Sequence, residues 1–371
     1  MDKLCKLFIT GLKAATSTVA LAFLLTACHG GKQQATSTEG DTLALRHAEY
    51  LTMIEHAEYT EVQIHSPWNK GKLLQTIKVQ TSPTPSRALF FTTTHSNLIE
   101  ELECIGAIAG ICETEYIANP RLLQAISEGK IKSMGSAMTP DRERIVNLNP
   151  DIILLSPYEN ASTYGNLESL GIPIIQCADY METTSLGRAE WIRFYGRLFG
   201  KGHEADSLFA EIEAQYNKLR MLTDSLSENN RPSVLFDTRN GSAWYVPGGR
   251  STMAQLVADA GGRYIFSDNN KSGSVPLAFE SVLSRGENAD IWLIRYNNSQ
   301  TRITHANLGK IYQPYTLFKA YKQNNVYGCN SAELIFYEET PFHPERLLRD
   351  FICILHPELL PNDTLSYFHK L

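Results

Sequence analysis

Two glutamates occupy matching places in two similar stretches of the sequence. Glu143 lies in TPDRERIV (139–146), where Pro140 opens a predicted helix, and Glu280 lies in PLAFESVL (276–283). Each stretch is followed by an aspartate and an apolar strand, in NPDIILL and NADIWLI. A carboxylate in the first turn of a helix complements the helix dipole. By sequence alone that ordinary electrostatic role is favoured for both glutamates. They are singled out only because the same order of helix, aspartate and apolar strand occurs in both stretches.

His95 is the best single ligand candidate among the ten histidines. It follows three threonines in a predicted turn after the first strand of an α/β region, and loops at the carboxyl ends of such strands line the binding crevice. A bare metal ion needs three or four converging ligands, and no second histidine lies in an equivalent loop of this half. A solvent-facing or helix-capping histidine is therefore favoured over a metal ligand.

The sequence contains none of the motifs GxSxG, HExxH, GxGxxG or GxxxxGK[ST]. The segment 196–201 has only three residues between its glycines and lies in a helical run, so neither its spacing nor its context fits a phosphate loop. An enzyme would instead need a perturbed catalytic group in a cleft, with turnover rather than stoichiometric binding. We therefore predict that the protein is not an enzyme.

The elements that must position these residues alternate between strands and short helices. Apolar, β-rich runs occur at 88–92, 108–112, 151–156 and 173–177, and predicted helices lie at 97–105, 140–148 and 166–170. The alternation resumes with strands at 233–237 and 291–295 and ends with a helix that starts near Pro344. This order is typical of mostly parallel sheets with helices on their faces.

A helical region of about 45 residues separates the two alternating halves. Its segments 186–199 and 204–226 place apolar residues at helical spacing, with Gly-Lys-Gly between them. The second segment, at about 1.5 Å per residue, would reach roughly 35 Å, the width of a domain. We therefore predict an α/β fold with two Rossmann-like lobes of mostly parallel sheet, bridged by a single long α-helix.

The N-terminus resembles an export signal. Residues 1–27 have a lysine-containing start and an apolar stretch shorter than the roughly 20 residues that span a bilayer, so a removed signal peptide is favoured over a membrane anchor. The run LTAC (25–28) resembles the bacterial lipobox, which makes Cys28 the predicted lipidated residue. We expect an exported, membrane-anchored lipoprotein facing the periplasm. Residues 28–43 would form a flexible tether and residues 44–85 a β-hairpin extension.

Length and charge limit the remaining possibilities. The 371 residues, 43% hydrophobic and 20% charged, are enough for two or three domains with their own cores. We predict an N-terminal lobe at 86–185, helices including the bridge at 186–230 and a C-terminal lobe at 231–371.

A formal net charge of −6 argues against nucleic acid as a partner. Five cysteines would remain beside a lipidated Cys28 after signal removal, so at least one is expected to be free.

The ordered motifs between Arg87 and Pro357 resemble the periplasmic binding proteins of ABC importers that carry cobalamin, siderophores and haem. The matching pieces include DRERIVNLNPDIILLS, LGIPIIQCAD, GRLFGKGHEADSLFAEIEAQY, PGGRSTMAQLVADAGGRYIF, PLAFESVLSRGENADIWLI and FKAYKQNNVY. The resemblance implies two lobes bridged by a rigid helix, with ligand in the cleft between them. It also implies that Glu143 and Glu280, at the matching motif positions, dock to arginines of an ABC permease–ATPase complex. We expect the protein to act as a monomer.

The resemblance further implies a large, flat-faced ligand, which needs aromatic surface and a few polar anchors. Beside His95, the ligand-binding candidates in predicted cleft loops are Tyr116, Tyr158, Trp244, Tyr245, Arg250, Tyr296, Tyr337 and Phe342. Arg239 and Arg295 could also pair with carboxylate or catecholate ligands. The tryptophan that the cobalamin binder carries after its DIILL-like strand is absent here, and the nearby Tyr158 could replace it.

We therefore expect an extracytoplasmic binding lipoprotein that captures an iron complex (siderophore or haem) or cobalamin and delivers it to an ABC permease, without a cofactor or resident metal. One alternative is a transport protein for bare Zn²⁺ or Mn²⁺ on the same architecture. It predicts a tight metal at His95 that a chelator removes. The other alternative is a cleft enzyme such as a chelatase or hydrolase. The sequence leaves the identity of the ligand open.

Overall fold

The computed structural model describes residues 40–159 and 164–371. The predicted signal peptide, Cys28 and the predicted tether up to residue 39 lie outside these described residues. Within the described ranges, no helix combines the length and apolar character needed to cross a membrane. The odd count predicted at least one free cysteine, and all five cysteines in these ranges are free thiols.

An antiparallel sheet of four strands precedes the two lobes, in the spatial order β1-β2-β3-β4. Its strands are β1 (Asp41–Thr42), β2 (Leu51–Glu55), β3 (Tyr59–His65) and β4 (Leu73–Gln80). The predicted hairpin corresponds to β3 and β4, and β1 and β2 extend it. Asp41 pairs with Glu55, so the end of the predicted tether belongs to this sheet.

Two buried carboxylates fasten the segment between β1 and β2 to the rest of the protein. The Glu190 side chain is fully buried and accepts hydrogen bonds from the backbone N–H groups of residues 46–48, at 2.8 to 3.0 Å. Glu182 accepts from the backbone N–H groups of residues 49–50. Because unpaired buried carboxylates are costly, these bonds hold the extension against the body of the protein.

The N-terminal lobe contains a parallel sheet of five strands in the order β7-β6-β5-β8-β9. The strands are β5 (Ala88–Phe90), β6 (Ile108–Ile111), β7 (Lys132–Ser133), β8 (Ile152–Leu155) and β9 (Ile174–Gln176). The helices are α1 (Thr93–Glu101), α2 (Pro120–Ser127) and α3 (Arg142–Leu148). Ala88 and Phe90 join one apolar cluster and Leu89 joins another, so this central strand is buried on both faces.

The first helix of this lobe begins at Thr93, four residues before the predicted start. The side chain of Thr92 accepts from the backbone N–H of His95 and caps the helix, because a threonine side chain can satisfy an N–H group that has no partner within the helix. The three threonines were predicted to form a turn that exposes His95. They form the helix start instead, and His95 lies in the first turn of α1.

Three helices follow, α4 (Ser185–Glu190), α5 (Ile192–Leu198) and the 20-residue α6 (Gly202–Met221). The last of these is the predicted long helix, and it is about 30 Å long. Near its start it packs closely on α5, since a Cβ on Gly196 would lie 2.1 Å from the Cβ of Ala205. Towards its end the Tyr216 hydroxyl donates to Asp259 of the C-terminal lobe at 2.5 Å. The predicted fold class, α/β with a long helix, is confirmed.

The C-terminal lobe has a sheet in the order β13-β10-β15-β16-β17, parallel except for β17, and a small antiparallel sheet β11-β12-β14. Its strands are β10 (Ser233–Phe236), β11 (Arg239–Asn240), β12 (Ala243–Pro247), β13 (Arg263–Tyr264), β14 (Ser274–Leu277), β15 (Ile291–Tyr296), β16 (Val326–Asn330) and β17 (His369–Lys370). Its helices are α7 (Thr252–Asp259), α8 (Phe279–Gly286), α9 (His305–Ile311), α10 (Lys319–Lys322), α11 (Phe336–Glu339) and α12 (Pro344–Leu355).

The repeated Asn-x-Asp sequences have the same structural role in both lobes. Asp151 accepts from the backbone N–H groups of Ser86 and Arg87, which precede the neighbouring strand β5. Asp290 accepts from the backbone N–H of Ser233 at 2.8 Å and from its hydroxyl at 2.6 Å, at the start of β10. Each aspartate therefore fixes the alignment of two adjacent parallel strands.

Candidate functional site: the cleft between the lobes

The carboxyl edges of the two parallel sheets carry the loops that can bind a ligand. A helix that leads into a parallel strand runs against it, so the helix begins at that same edge. Because α3 leads into β8 and α8 leads into β15, Glu143 and Glu280 lie at the carboxyl edges of their sheets. Both side chains are exposed. Across residues 40–159 and 164–371, neither carboxylate forms a side-chain hydrogen bond or an ion pair.

A cavity of about 360 Å³, here called the outer cavity, lies between the two lobes. The N-terminal lobe contributes Phe91, Thr92 and Tyr116, and the C-terminal lobe contributes Leu334 and Tyr337. The exposed fractions of Tyr116 and Tyr337 are 56% and 51%, so both rings have free surface. The outer cavity therefore has an aromatic side chain on each lobe.

A second cavity of about 220 Å³, the side cavity, shares Phe91 and Thr92 with the outer cavity. Tyr158 and Tyr164 line it and contact each other edge to face, with ring centroids 5.7 Å apart. Burial raises the pKa of Tyr164 to about 12, and nearby tyrosines and Glu168 add to the effect. Tyr164 therefore remains a neutral phenol throughout the physiological pH range, and its hydroxyl donates to Gln176 Oε1 at 2.9 Å.

A smaller cavity of about 120 Å³, the inner cavity, borders the outer cavity at Tyr337. Arg188 and Arg295 line it, and each guanidinium is paired with a carboxylate. Arg188 Nε lies 3.1 Å from Asp179 Oδ2, and Arg295 Nε lies 3.0 Å from Asp237 Oδ1. Burial alone would lower the pKa of Arg295, but the charge of Asp237 and its hydrogen bonds outweigh burial and raise it.

Asp179 also connects the inner cavity to His95. His95 Nε2 lies 2.8 Å from Asp179 Oδ1, and the Tyr195 hydroxyl donates to the same oxygen at 3.2 Å. Burial alone would raise the pKa of Asp179, but His95 and Arg188 outweigh it and hold that pKa below its usual value. His95 is only 1% exposed and borders none of the three cavities. It positions Asp179 and Arg188 and is neither the loop ligand nor the solvent-facing side chain that the sequence suggested.

The other predicted ligand-binding residues fall into three groups: residues that line the cavities, residues outside the cavities that keep some exposed surface, and residues buried in the core. Tyr116, Tyr158 and Tyr337 line the cavities, as described above. Tyr245 is 46% exposed on β12 and Arg250 is exposed beyond it, but neither lines any of the three cavities. Tyr296 is half-buried, and its hydroxyl accepts from the backbone N–H of Ile303.

Trp244 and Phe342 are core residues in this structure and not cleft residues. The Trp244 ring is fully buried, packs on Trp292 with centroids 5.7 Å apart, and donates from Nε1 to the carbonyl oxygen of Phe236. Phe342 is 1% exposed and packs against His95 and Tyr195. Burial in the core leaves both rings without surface for a ligand.

Several residues that line the cavities were not among the sequence-based candidates, and Phe91, Arg188 and Tyr164 are examples. Phe91 was assigned to a strand and Arg188 to a helix, and neither assignment indicates which way the side chain points. Tyr164 lies six residues after Tyr158, and an aromatic pair in one loop was a signal that could have identified it. Within the described ranges, no group of three or more His, Cys, Asp and Glu side chains is arranged to hold a metal ion.

Known proteins with similar sequences include lipoproteins and a binding protein. The chain is 28% identical over 316 residues to an uncharacterized lipoprotein of Methanocaldococcus jannaschii. The aligned region covers 82% of this chain and 72% of that protein. It is 25% identical over 202 residues to a cobalamin-binding protein of Halobacterium salinarum, across 54% of this chain and 51% of that protein.

Solved structures share the fold at low sequence identity. The molybdate-binding MolA of Haemophilus influenzae has a TM-score of 0.62 and 14% identity, covering 78% of this chain and 91% of its own. The periplasmic heme-binding protein RhuT of Roseiflexus has a TM-score of 0.57 and 18% identity, and the match covers 74% of this chain and 99% of RhuT. The family model described as "Periplasmic binding protein" matches residues 107–333, more than half of the chain. The chain therefore belongs to the periplasmic binding protein family, a family of transport-associated binding proteins and not of enzymes.

Proposed function

We propose that the protein is a lipid-anchored extracytoplasmic binding protein that captures a metal chelate in the cleft and delivers it to an ABC permease. The chelate classes are an iron siderophore, haem or cobalamin. The observation that carries the proposal is the set of four tyrosines, Tyr116, Tyr158, Tyr164 and Tyr337, on two cavities that share a wall. The cobalamin-binding and haem-binding relatives support the same ligand class.

The dimensions and chemistry of the cavities suit such a ligand. Sites for ligands of this kind are mostly apolar clefts of about 300 to 1,000 Å³ with a few polar anchors. The outer cavity alone, at about 360 Å³, is in that range, and the side cavity extends it. Aromatic rings stack on flat ligands, and phenol hydroxyls donate hydrogen bonds to their edges. The bare-metal alternative relied on His95, which is 1% exposed and borders none of the three cavities. Among the described residues, no group of three or more His, Cys, Asp and Glu side chains is arranged to hold a metal ion.

A titration with cobalamin, haem, a ferric catecholate and a ferric hydroxamate tests the proposal, with tryptophan fluorescence as the signal. We expect one of them to bind stoichiometrically. Tyr116→Ala combined with Tyr337→Ala should weaken that binding by about tenfold or more, since each aromatic contact contributes about 0.5 to 1.5 kcal/mol beyond burial. Tyr245→Ala is the matched control, because Tyr245 is exposed to a similar extent outside the cavities. Failure of every chelate to bind, or an equal loss in the control, would refute the proposal.

Glu143 and Glu280 are proposed as the docking residues for the permease. Their support is their exposure, their free carboxylates and their matching positions at the cleft edges of the two lobes. Glu143→Ala with Glu280→Ala should abolish uptake by cells that carry the permease and leave chelate affinity unchanged. Glu211→Ala, an exposed glutamate on α6, is the control. Normal uptake by the double variant would eliminate the docking role.

The lipid anchor is the third part of the proposal, and Cys28 lies outside the described residues. Its support is the lipobox-like sequence 25–28 and the description of the methanogen relative as a lipoprotein. Cys28→Ser should prevent incorporation of labelled lipid and release the protein from membranes. Membrane association that persists in this variant without labelled lipid would contradict the assignment.

A further inference from the structure

A pocket of about 410 Å³ outside the cleft, here called the basic pocket, is surrounded by positive charge. Its rim carries four cationic side chains, all of them exposed: Arg87, Lys130, Lys132 and Arg144. None of the described residues that line it is acidic. In a chain with a formal net charge of −6, the basic pocket is therefore a local concentration of positive charge.

The basic pocket lies towards the amino edge of the N-terminal sheet, at the end of this lobe opposite the cleft. Arg87 directly precedes β5, and Lys132 begins β7. Leu148 ends α3, which runs against the strands, so the end of this helix lies at the same edge. The basic pocket shares no lining residue with the outer, side or inner cavity. It is therefore separate from the cleft site.

Two of the four cations have no carboxylate partner in the part of the chain that the structure describes. Arg87 donates from Nε to the carbonyl oxygen of Asn149 at 3.2 Å and from Nη2 to that of Leu148 at 2.5 Å. These bonds fix the guanidinium at the end of α3 and leave its charge unneutralised. Lys132 is exposed on the edge strand β7 and forms no ion pair with a described residue.

The other two cations have exposed ion-pair partners outside the pocket. Lys130 Nζ lies 2.6 Å from Glu128 Oε2, and Arg144 Nε lies 3.4 Å from Asp141 Oδ2. Ion pairs at exposed positions contribute little, because water competes for both charges. Even when both carboxylates are counted, four cations against two anions leave a net charge of +2 around the pocket.

The floor of the basic pocket is apolar. Met134 and Leu148 line it and are 4% and 8% exposed, and Ala109 lies beside them. Lysine and arginine side chains lay their apolar stems along such a surface and keep the charged ends in water. A volume of about 410 Å³ is in the range of pockets for organic ligands and is more than a small oxyanion needs. The combination suits an anionic group that is attached to an apolar one.

We propose that the basic pocket binds the headgroup region of an anionic phospholipid at the membrane surface. The phosphate lies among the cations, and the first methylene groups of the lipid lie on the apolar floor. The rest of this negatively charged protein is repelled by such a surface, so the pocket determines which face turns towards it. The cleft, at the opposite end of the lobe, then opens away from the bilayer. This inference goes beyond the proposed function and does not depend on which chelate is bound.

Binding to lipid vesicles tests the proposal. The Cys28→Ser protein is used, so that a lipid group on Cys28 cannot itself insert into the vesicles. Sedimentation with vesicles of phosphatidylglycerol and phosphatidylcholine is compared with sedimentation with phosphatidylcholine alone. We expect binding to the anionic vesicles only, and weaker binding at higher salt, because salt screens exposed charges. Absence of binding to the anionic vesicles, or equal binding to the neutral ones, would overturn the proposal.

Paired variants locate the attraction. Lys130→Gln with Lys132→Gln should weaken binding to the anionic vesicles by about tenfold, since each lysine near such a surface contributes a factor of about five and Lys130 is partly neutralised. Lys218→Gln with Lys310→Gln is the matched control, because it removes two exposed lysines of α6 and α9 and changes the net charge equally. The control should bind within about twofold of the parent. Equal losses in the two double variants would show that the pocket is not the site.

Two soluble probes distinguish a lipid from a free phosphate. Dihexanoyl phosphatidylglycerol carries the headgroup with short apolar chains, and glycerol 3-phosphate carries the phosphate without them. In calorimetry the lipid should bind at least tenfold more tightly, since burial of two methylene groups contributes about that factor. Asn147→Glu, which places a carboxylate on the pocket wall, should abolish this binding. If glycerol 3-phosphate binds equally well, the pocket is a free-phosphate site and the lipid proposal fails.

Chelate binding distinguishes this proposal from the proposed function. The double variant of Lys130 and Lys132 should bind the chelate with parent affinity, because neither residue lines a cleft cavity. Vesicle binding without chelate binding would support the basic pocket and refute the chelate function. Chelate binding without vesicle binding would refute the basic pocket alone.

Discussion

Replacing Glu101 by glutamine should destabilise the protein near neutral pH and have no effect at high pH. Glu101 Oε2 lies 2.9 Å from Nε2 of His343, and Glu345 Oε1 lies 3.0 Å from Nδ1 of the same ring. Glu101 ends α1 of the N-terminal lobe, whereas His343 and Glu345 lie at the start of α12 in the C-terminal lobe. His343 is 2% exposed. The substitution therefore removes the charge of a buried contact between the lobes.

The size of the effect follows from the pKa of His343. Burial alone would lower it, but the hydrogen bonds and charges of Glu101 and Glu345 raise it from 6.5 to about 9. At about 1.4 kcal/mol per pH unit, this rise corresponds to about 3 kcal/mol of folding free energy. The stabilisation is complete below pH 6.5, the ordinary value, and is lost as the pH rises through about 9. Glu101 shares the effect with Glu345 and is 30% exposed, so its loss should cost about 1 kcal/mol.

Urea unfolding at about pH 6 and about pH 10 measures this effect. Glu101→Gln should lower the free energy of unfolding by about 1 kcal/mol at the lower pH and by almost nothing at the higher pH. Glu103→Gln, an exposed neighbour with no side-chain partner among the described residues, controls for the loss of one negative charge. Equal losses at both pH values would show that Glu101 does not stabilise a charged His343.

Three further changes test the contacts that position the cleft. Asp151→Ala should lower the free energy of unfolding in urea by about 0.5 to 1.5 kcal/mol, because it removes exposed hydrogen bonds to the backbone N–H groups before β5, which water replaces only in part. Glu190→Gln should lower the free energy of unfolding by about 2 to 4 kcal/mol, because it weakens the buried hydrogen bonds to the backbone N–H groups of residues 46–48. It should also speed proteolysis near these residues, and unchanged proteolysis would argue that Glu190 does not anchor them. Gly196→Ala places a Cβ 2.1 Å from that of Ala205 and should lower the free energy of unfolding by about 1 to 3 kcal/mol. An unchanged midpoint of urea unfolding would show that α5 and α6 can move apart without cost.

The elements that the sequence predicted well are those with strong local signals. The run 151–156 predicted a strand, and β8 (Ile152–Leu155) is fully buried there, because a central parallel strand has an apolar sequence on both faces. The helix α2 was overlooked although its sequence carries two ordinary start signals. Asn119 caps it and Pro120 occupies its first turn. These two signals would have been enough to predict the start of α2 from the sequence.

The cleft was harder to predict because the direction of each side chain depends on the strand that carries it. Trp244 and Tyr245 are adjacent on β12, and the alternation of a strand turns the first inward and the second outward. Because the strand β12 was not recognised in the sequence, Trp244 and Tyr245 were both predicted to face the ligand. The pairing of Arg188 with Asp179, nine residues away, joins a buried carboxylate to a cavity wall, and no sequence pattern indicates such a pair.

The two lobes fix the carboxyl ends of their strands by the same unusual device. Glu113 follows β6 with φ 57° and Asp237 follows β10 with φ 60°, both in the left-handed region that non-glycine residues rarely adopt. Glu113 accepts from the Ser136 hydroxyl and the Ala137 N–H, and Asp237 accepts from the backbone N–H and guanidinium of Arg295. These bonds offset the strain of the left-handed backbone, which persists only where its surroundings hold it. Each carboxylate therefore holds the start of the following loop in place before ligand arrives. Glu113 also lines the outer cavity, whereas Asp237 lines none of the three cavities and acts on the cleft through Arg295.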